Sequence, residues 1–228
     1  MPDGFFNAPT SVATGVVAVA GVGLALRGAR KELDERTAPL AGLVAAFVFA
    51  TQMVNFPVGA GTSGHLLGGA LAAALVGPWT GILVIACVLL VQGLLFADGG
   101  LTALGTNITL MGLVGVGVGW VVLVGVRTLL PKRPSSIPLA AAIGALVSVP
   151  MAALAFSLLF SVGSVADIAT GKVVAAMVGW HCLIGVGEAL ITGLVISSVI
   201  ATRPDLVYAA RPVLGERTLT VRTAGANV

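Results

Sequence analysis

Charge is what this sequence has least of. Only 9% of its 228 residues are charged, against about a quarter in ordinary soluble domains, while 57% are hydrophobic and the mean hydropathy is +1.08. A soluble fold is excluded. Cysteine is scarce as well: Cys87 and Cys182 stand alone inside apolar runs, without the close spacing of a metal or redox motif. They read as small apolar packers. There is no HExxH, no GxSxG and no Cys/His pair at catalytic spacing, which argues against an enzyme. Gly112 to Gly117 lies within an apolar run and lacks the lysine of a phosphate loop, so any ATP dependence must come from another protein. Basic residues are not interleaved with aromatics, so the formal charge of +3 does not signal nucleic-acid binding. Met1 to Ala8 has no basic region, and the first apolar stretch ends in charges rather than a small-residue cleavage site. That stretch is expected to remain in the mature protein.

What is abundant is apolar sequence, interrupted at intervals by Pro, Gly or charge. A spanning helix needs about 20 such residues, and seven segments present themselves: roughly 10 to 27, 38 to 56, 64 to 77, 79 to 97, 102 to 130, 136 to 162 and 172 to 202. The third is short, about 21 Å if helical, so it must be buried in protein or sit in thinned bilayer. Lys and Arg collect on the cytoplasmic side of membrane proteins. Seven spans put Arg27, Arg30, Lys31, Arg36, Arg127, Lys132, Arg133, Arg203, Arg211, Arg217 and Arg222 on one face, with Lys172 alone opposite. The expectation is an all-α, polytopic protein of the cell membrane, a seven-helix bundle with its N-terminus outside and C-terminus cytoplasmic. Residues 1–202 would form the transmembrane domain and 203–228 a loosely ordered cytoplasmic tail. Small residues four apart, such as Gly64 and Gly68, Gly77 and Gly81, or Gly115 and Gly119, let membrane helices approach closely. Internal packing explains them better than a docking face.

Polar groups in such a chain are candidate functional sites because burying them is costly. His65, one of two histidines, follows Thr62 and Ser63 in a glycine-rich passage, Asn55 to Gly69. Thr62 and Ser63 are natural N-caps, which places His65 in the first turn of a new helix. There the positive helix end keeps the ring neutral and able to bind a metal. Gln52, Asn55 and Asn107 fall at the same depth, where their amides can orient the ring or a ligand water, or simply cap helix ends. In the last span His181 and Glu188 stand seven apart on nearly one face. They read either as a proton relay or second metal site, or as a structural network in which Glu188 is protonated or hydrogen-bonded.

Several separated motifs resemble one family. Pro2-Asp3-Gly4-Phe5-Phe6, Asn55-Phe56-Pro57, Gly61-Thr62-Ser63-Gly64-His65-Leu66-Leu67-Gly68-Gly69, Ala97 through Asn107, and His181 through Thr192 are similar to the CbiM/NikM proteins over about residues 1 to 205. The resemblance implies the substrate-capture subunit of an energy-coupling-factor importer for cobalt or nickel. Such a subunit works with a transmembrane coupling subunit, a small accessory membrane subunit and a cytoplasmic ATPase. It implies metal binding by the N-terminal amine, here that of Met1, and by His65. Family members begin Met-His-x-Pro-Asp-Gly, whereas this chain begins Met1-Pro2-Asp3-Gly4 and lacks the second-position histidine. A prolyl nitrogen has no hydrogen to lose and cannot become an amidate ligand. The expectation is a native start two codons upstream, reading Met-His-Met-Pro-Asp-Gly. Nitrogen donors in a plane suit nickel. The competing possibility is a self-sufficient, proton-coupled metal carrier with His181 and Glu188 as relay, against which the absence of a visible inverted repeat counts.

Overall fold

In a computed structural model the chain is described over residues 1, 3–33, 37–59 and 62–214, without the side chains of Phe56, Gly59 and Thr62. Pro2, Arg36, Arg217 and Arg222 lie outside the described residues. Helix α1 spans Ala8–Ala29, α2 Thr37–Gln52, α3 Gly69–Val76, α4 Pro78–Leu95, α5 Leu104–Leu129, α6 Ile137–Gly163 and α7 Thr170–Thr202. Among the described residues five helical segments, those carrying α1, α4, α5, α6 and α7, are long and apolar enough to cross a membrane. The α2 helix is shorter, at 16 residues, and α3 has eight, about 12 Å.

The short third segment is resolved by burial. All eight residues of α3 are buried, and α4, α5 and α6 surround it. Alanine and glycine make this possible: a Cβ on Gly119 of α5 would stand 2.8 Å from the Ala70 Cβ, and one on Gly81 of α4 would stand 3.1 Å from the Ala73 nitrogen. The small-residue spacings are thus internal contacts. Pro150 inside α6 leaves the Leu146 carbonyl without its helical donor, and the bare Cα of Gly185 lies over it, with room for a Cβ only at 2.9 Å.

The two ends of the bundle differ. At one end Glu32, 3% exposed, accepts from the first amides of α4, Trp79 N at 3.2 Å and Thr80 N at 2.7 Å, where a carboxylate meets the positive helix terminus. The chain after α7 folds back over this end instead of leaving it. Val207, Ala209 and Ala210 are fully buried, Arg127 donates to the Ala209 carbonyl at 2.9 Å, and Arg211 lies 4.7 Å over the Tyr208 ring. The first part of the expected loose tail is therefore packed.

Two expectations are corrected. The fold is not purely helical: β1, Phe56–Gly59, pairs antiparallel with β2, Thr62–Gly64, because Pro57 and the glycines disfavour helix there. Cys87 and Cys182 are not core packers; both are exposed on outer helix faces, where an apolar environment accepts a thiol as readily as the interior does.

Candidate metal centre

The hairpin and the loop that follows it decide where His65 goes. Thr62 and Ser63 lie in β2, so they do not cap a helix, and α3 begins only at Gly69. Gly68 adopts φ +74°, which favours glycine. His65 accordingly sits in an extended connection, not in a first helical turn. Three hydrogen bonds pin that connection. Leu67 N donates to Glu188 Oε2 at 2.7 Å, Gly68 N donates to Glu188 Oε1 at 2.9 Å, and Gln52 Nε2 donates to the Leu67 carbonyl at 2.7 Å. A carboxyl group deep in α7 and an amide at the end of α2 thus hold the main chain two residues beyond His65. Glu188 thus accepts from two backbone amides of that connection.

A second segment is brought to the same end. Phe5 and Phe6 pack on Phe156 and Phe160 of α6, with ring centroids 5.5 to 5.9 Å apart for the Phe5–Phe160, Phe6–Phe156 and Phe5–Phe156 pairs. Asn7 N donates to the Gly163 carbonyl at 2.8 Å. Beyond them, Gly100 N donates to the Met1 carbonyl at 2.8 Å, and Asp3 accepts from the Thr102 amide and hydroxyl. These bonds with Thr102 hold the Asp3 carboxyl below its usual range. The side of Gly100 facing Asp3 has no room for a Cβ.

Between these segments lies a cavity of about 650 Å³, bordered by the β-hairpin, the Ala97 to Gly100 turn, α5, α6 and α7. Met1, Asn55, Ser63, His65, Asn107 and His181 all line it. Of the residues expected at the site, Gln52 and Glu188 stand behind the wall, bonded to Leu67, and the Thr62 side chain lies outside the described residues. Asn55 Nδ2 reaches Asp98 Oδ2 at 3.4 Å. Asn107 opens a π-helical stretch, Ile108–Gly115, whose wider turn turns both Leu110 and Met111 to the cavity.

Two nitrogen groups at the cavity have their ordinary basicity altered by the surroundings. His65 Nδ1 lies 2.9 Å from the Leu66 carbonyl. A carbonyl can only accept, so Nδ1 carries the hydrogen and Nε2 keeps its lone pair. Burial pushes the imidazole below its ordinary value of 6.5; the Leu66 carbonyl opposes this and the Met1 amine reinforces it. Desolvation, and not a helix terminus, therefore keeps the ring neutral. Burial likewise lowers the Met1 α-amine below 8.0, against the pull of Asp98 and Asp3. Burial thus shifts both nitrogens toward their free-base forms. Asp98 and Asp3 are residues that sequence reasoning did not assign to the site. Acidic side chains beside Gly99 and Gly100, in a chain with so few, were the available signal.

A membrane bundle with an imidazole-lined cavity at one end belongs to the class of transport proteins rather than enzymes. Two solved structures, one described as a transition metal transporter and the other as a truncated form of one, share the fold at a TM-score of 0.81 and 29% identity. Each covers 88% of this chain, with 98% of the truncated protein and 92% of the other matched. The family described as the cobalt uptake substrate-specific transmembrane region, CbiM, matches residues 1–206, and this chain belongs to it. Curated relatives agree. A putative metal transport protein of Haloquadratum walsbyi is 37% identical over 91% of this chain and 93% of its own length. A putative fused nickel transport protein, NikMN, of Archaeoglobus fulgidus is 36% identical over 91% of this chain and 67% of its own. The cobalt transport protein CbiM of Sorangium cellulosum is 36% identical over 82% and 83% respectively. The chain is a multi-pass membrane metal-transport protein.

Proposed function

We propose that this chain is the substrate-capture subunit of an ATP-driven energy-coupling-factor importer, taking up nickel or cobalt ions through His65 Nε2 and the Met1 amine. The observation that carries the proposal is the convergence of these two nitrogens, from segments 64 residues apart, on one cavity. Neutral imidazole and amine suit borderline divalent ions, among which geometry selects more than affinity does. The basic clusters around Arg27 to Lys31, Arg127 to Arg133 and Arg203 gather at the end opposite the cavity. This supports a seven-segment arrangement with the cavity and N-terminus outside and residues 203–228 in the cytoplasm.

In this reading a hydrated ion meets Asp98 and Asp3 at the mouth, where their charge raises its local concentration. It then exchanges water for the two nitrogens. Asn55, Ser63 and Asn107 offer polar groups to the remaining water shell, while Glu188 and Gln52 fix the His65 loop from behind. Energy comes from partners: a transmembrane coupling subunit, a small accessory membrane subunit and a cytoplasmic ATPase. Relatives from Archaeoglobus fulgidus, Rhodobacter capsulatus and Lactiplantibacillus plantarum are named as a putative, an unqualified and a probable fused nickel transport protein respectively, which supports work alongside at least a second component.

The alternative, a proton-coupled carrier with His181 and Glu188 as relay, is less well supported. The two side chains bond to separate groups, the Met177 carbonyl and the Leu67 and Gly68 amides. Cells expressing this chain alone, compared with cells also expressing an ATPase and coupling subunit, distinguish the two by uptake of radioactive nickel or cobalt. Uptake that needs the partners is expected; equal uptake without them refutes the proposal.

A further inference from the structure

We propose that His181 is a second imidazole ligand of the transported ion, so that the metal is held between the His65 loop and helix α7. The inference rests on the metal-capture reading above but not on the identity of the first residue, because both histidines are internal.

His181 lies on the inner face of α7, 7% exposed, and borders the same cavity as His65. Its Nδ1 is 2.7 Å from the Met177 carbonyl, one turn earlier. That acceptor fixes Nδ1 as the N–H and leaves the lone pair on Nε2. No hydrogen bond to either ring's Nε2 occurs among the described residues. The two histidines, placed by unrelated elements, thus show one arrangement: Nδ1–H spent on a main-chain carbonyl and Nε2 available to the cavity. This is how a metal-binding histidine is held, since the bond at the other nitrogen orients the ring and raises its basicity.

A purely structural role explains this poorly. The bond to the Met177 carbonyl needs only a short donor such as serine, as Ser148, Ser157, Ser197 and Ser198 show on these same helices with hydrogen bonds to carbonyls three or four residues back. An imidazole adds a second nitrogen that this bond does not need, and at the cavity wall its lone pair is open to water or to a cation. The wall beside it contains Met177 and Met111, whose soft, polarizable thioethers are compatible with a transition metal nearby. Because Glu188, two turns along α7, bonds the loop that carries His65, an ion bridging His181 and His65 would close a ring of contacts between that loop and that helix.

The test uses the full chain in detergent, loaded with nickel alone. X-ray absorption at the nickel edge counts imidazole ligands through their multiple scattering; two are expected for the unsubstituted protein, and one refutes the proposal without touching the capture reading. His181→Asn keeps a donor where Nδ1 was and removes Nε2. Nickel titration should show affinity falling about tenfold to a hundredfold, since even supporting groups around a metal have effects of that order. The imidazole count should drop by one. An unchanged Kd with an unchanged count would overturn the assignment. His65→Ala in parallel separates the two failures: if it leaves nickel binding intact, or if the unsubstituted chain binds none, the capture reading itself falls and this inference with it. Should His181→Asn not fold, the ligand count on the unsubstituted protein still decides.

Discussion

Replacing Glu188 with glutamine tests how the His65 loop is held. Each carboxyl oxygen accepts one main-chain amide, Leu67 N at 2.7 Å and Gly68 N at 2.9 Å, and Glu188 is 2% exposed. Glutamine has one oxygen and one NH2 group. It can serve one amide, but it sets a donor against the other, leaving two buried donors unmatched. At about 1–3 kcal/mol for each, the loss is about 2–6 kcal/mol. For a chain of this size a loss of about 3 kcal/mol lowers Tm by roughly 6–12 °C. The assay is thermal unfolding of the purified protein in detergent, joined to hydrogen exchange at the Leu67 and Gly68 amides, which should lose protection before the helices do. Nickel affinity should fall as well, because the loosened main chain lies two residues from His65. Unaltered melting, exchange and affinity in Glu188→Gln would show that the carboxyl group does not hold the loop.

Four further outcomes follow from the same geometry. His65→Ala should abolish nickel binding measured by calorimetry while the apo protein melts within a few degrees of the original; retained binding would refute the site. Nickel affinity should begin to fall at a lower pH than an ordinary amine at 8.0 and an ordinary imidazole at 6.5 would set, because both groups are lowered in the folded protein. It should drop only once pH falls through the lowered values, when both nitrogens take up protons. In the apo protein the unfolded chain protonates His65 first, so its contribution to stability is lost as pH falls below 6.5 toward the folded value; a melting profile across that range checks the sign. Gly119→Val should be destabilised by about 1–3 kcal/mol or more by overpacking, since even its Cβ would stand 2.8 Å from that of Ala70; normal melting would contradict the packing described for α3.

The helices were legible in hydropathy because a bilayer demands long apolar runs whatever their partners. The third segment shows the limit. Its apolar residues announced burial, but only contacts with Gly81 and Gly119 on other helices show that it ends in the interior. The His65 passage misled for a related reason: Thr62 and Ser63 have cap chemistry, yet pairing with Phe56 to Gly59 and bonds to Gln52 and Glu188, remote in sequence, outweigh it. The gathering of Asn55, Asn107 and His65 was readable from helix alternation. The roles of Asp3 and Asp98 were not, because they depend on how Met1 is seated. Glu32 was likewise missed, since nothing local to it announces that it meets the start of α4.

The eight buried residues of α3 carry a consequence for traffic through the molecule. Above them the chain is fastened by Glu188 and Gln52, and below them Val207, Ala209 and Ala210 close the floor. The cavity therefore stops against alanine packed at atomic contact, and on the proposed reading this conformation would make the protein a holder of cargo and not a conduit.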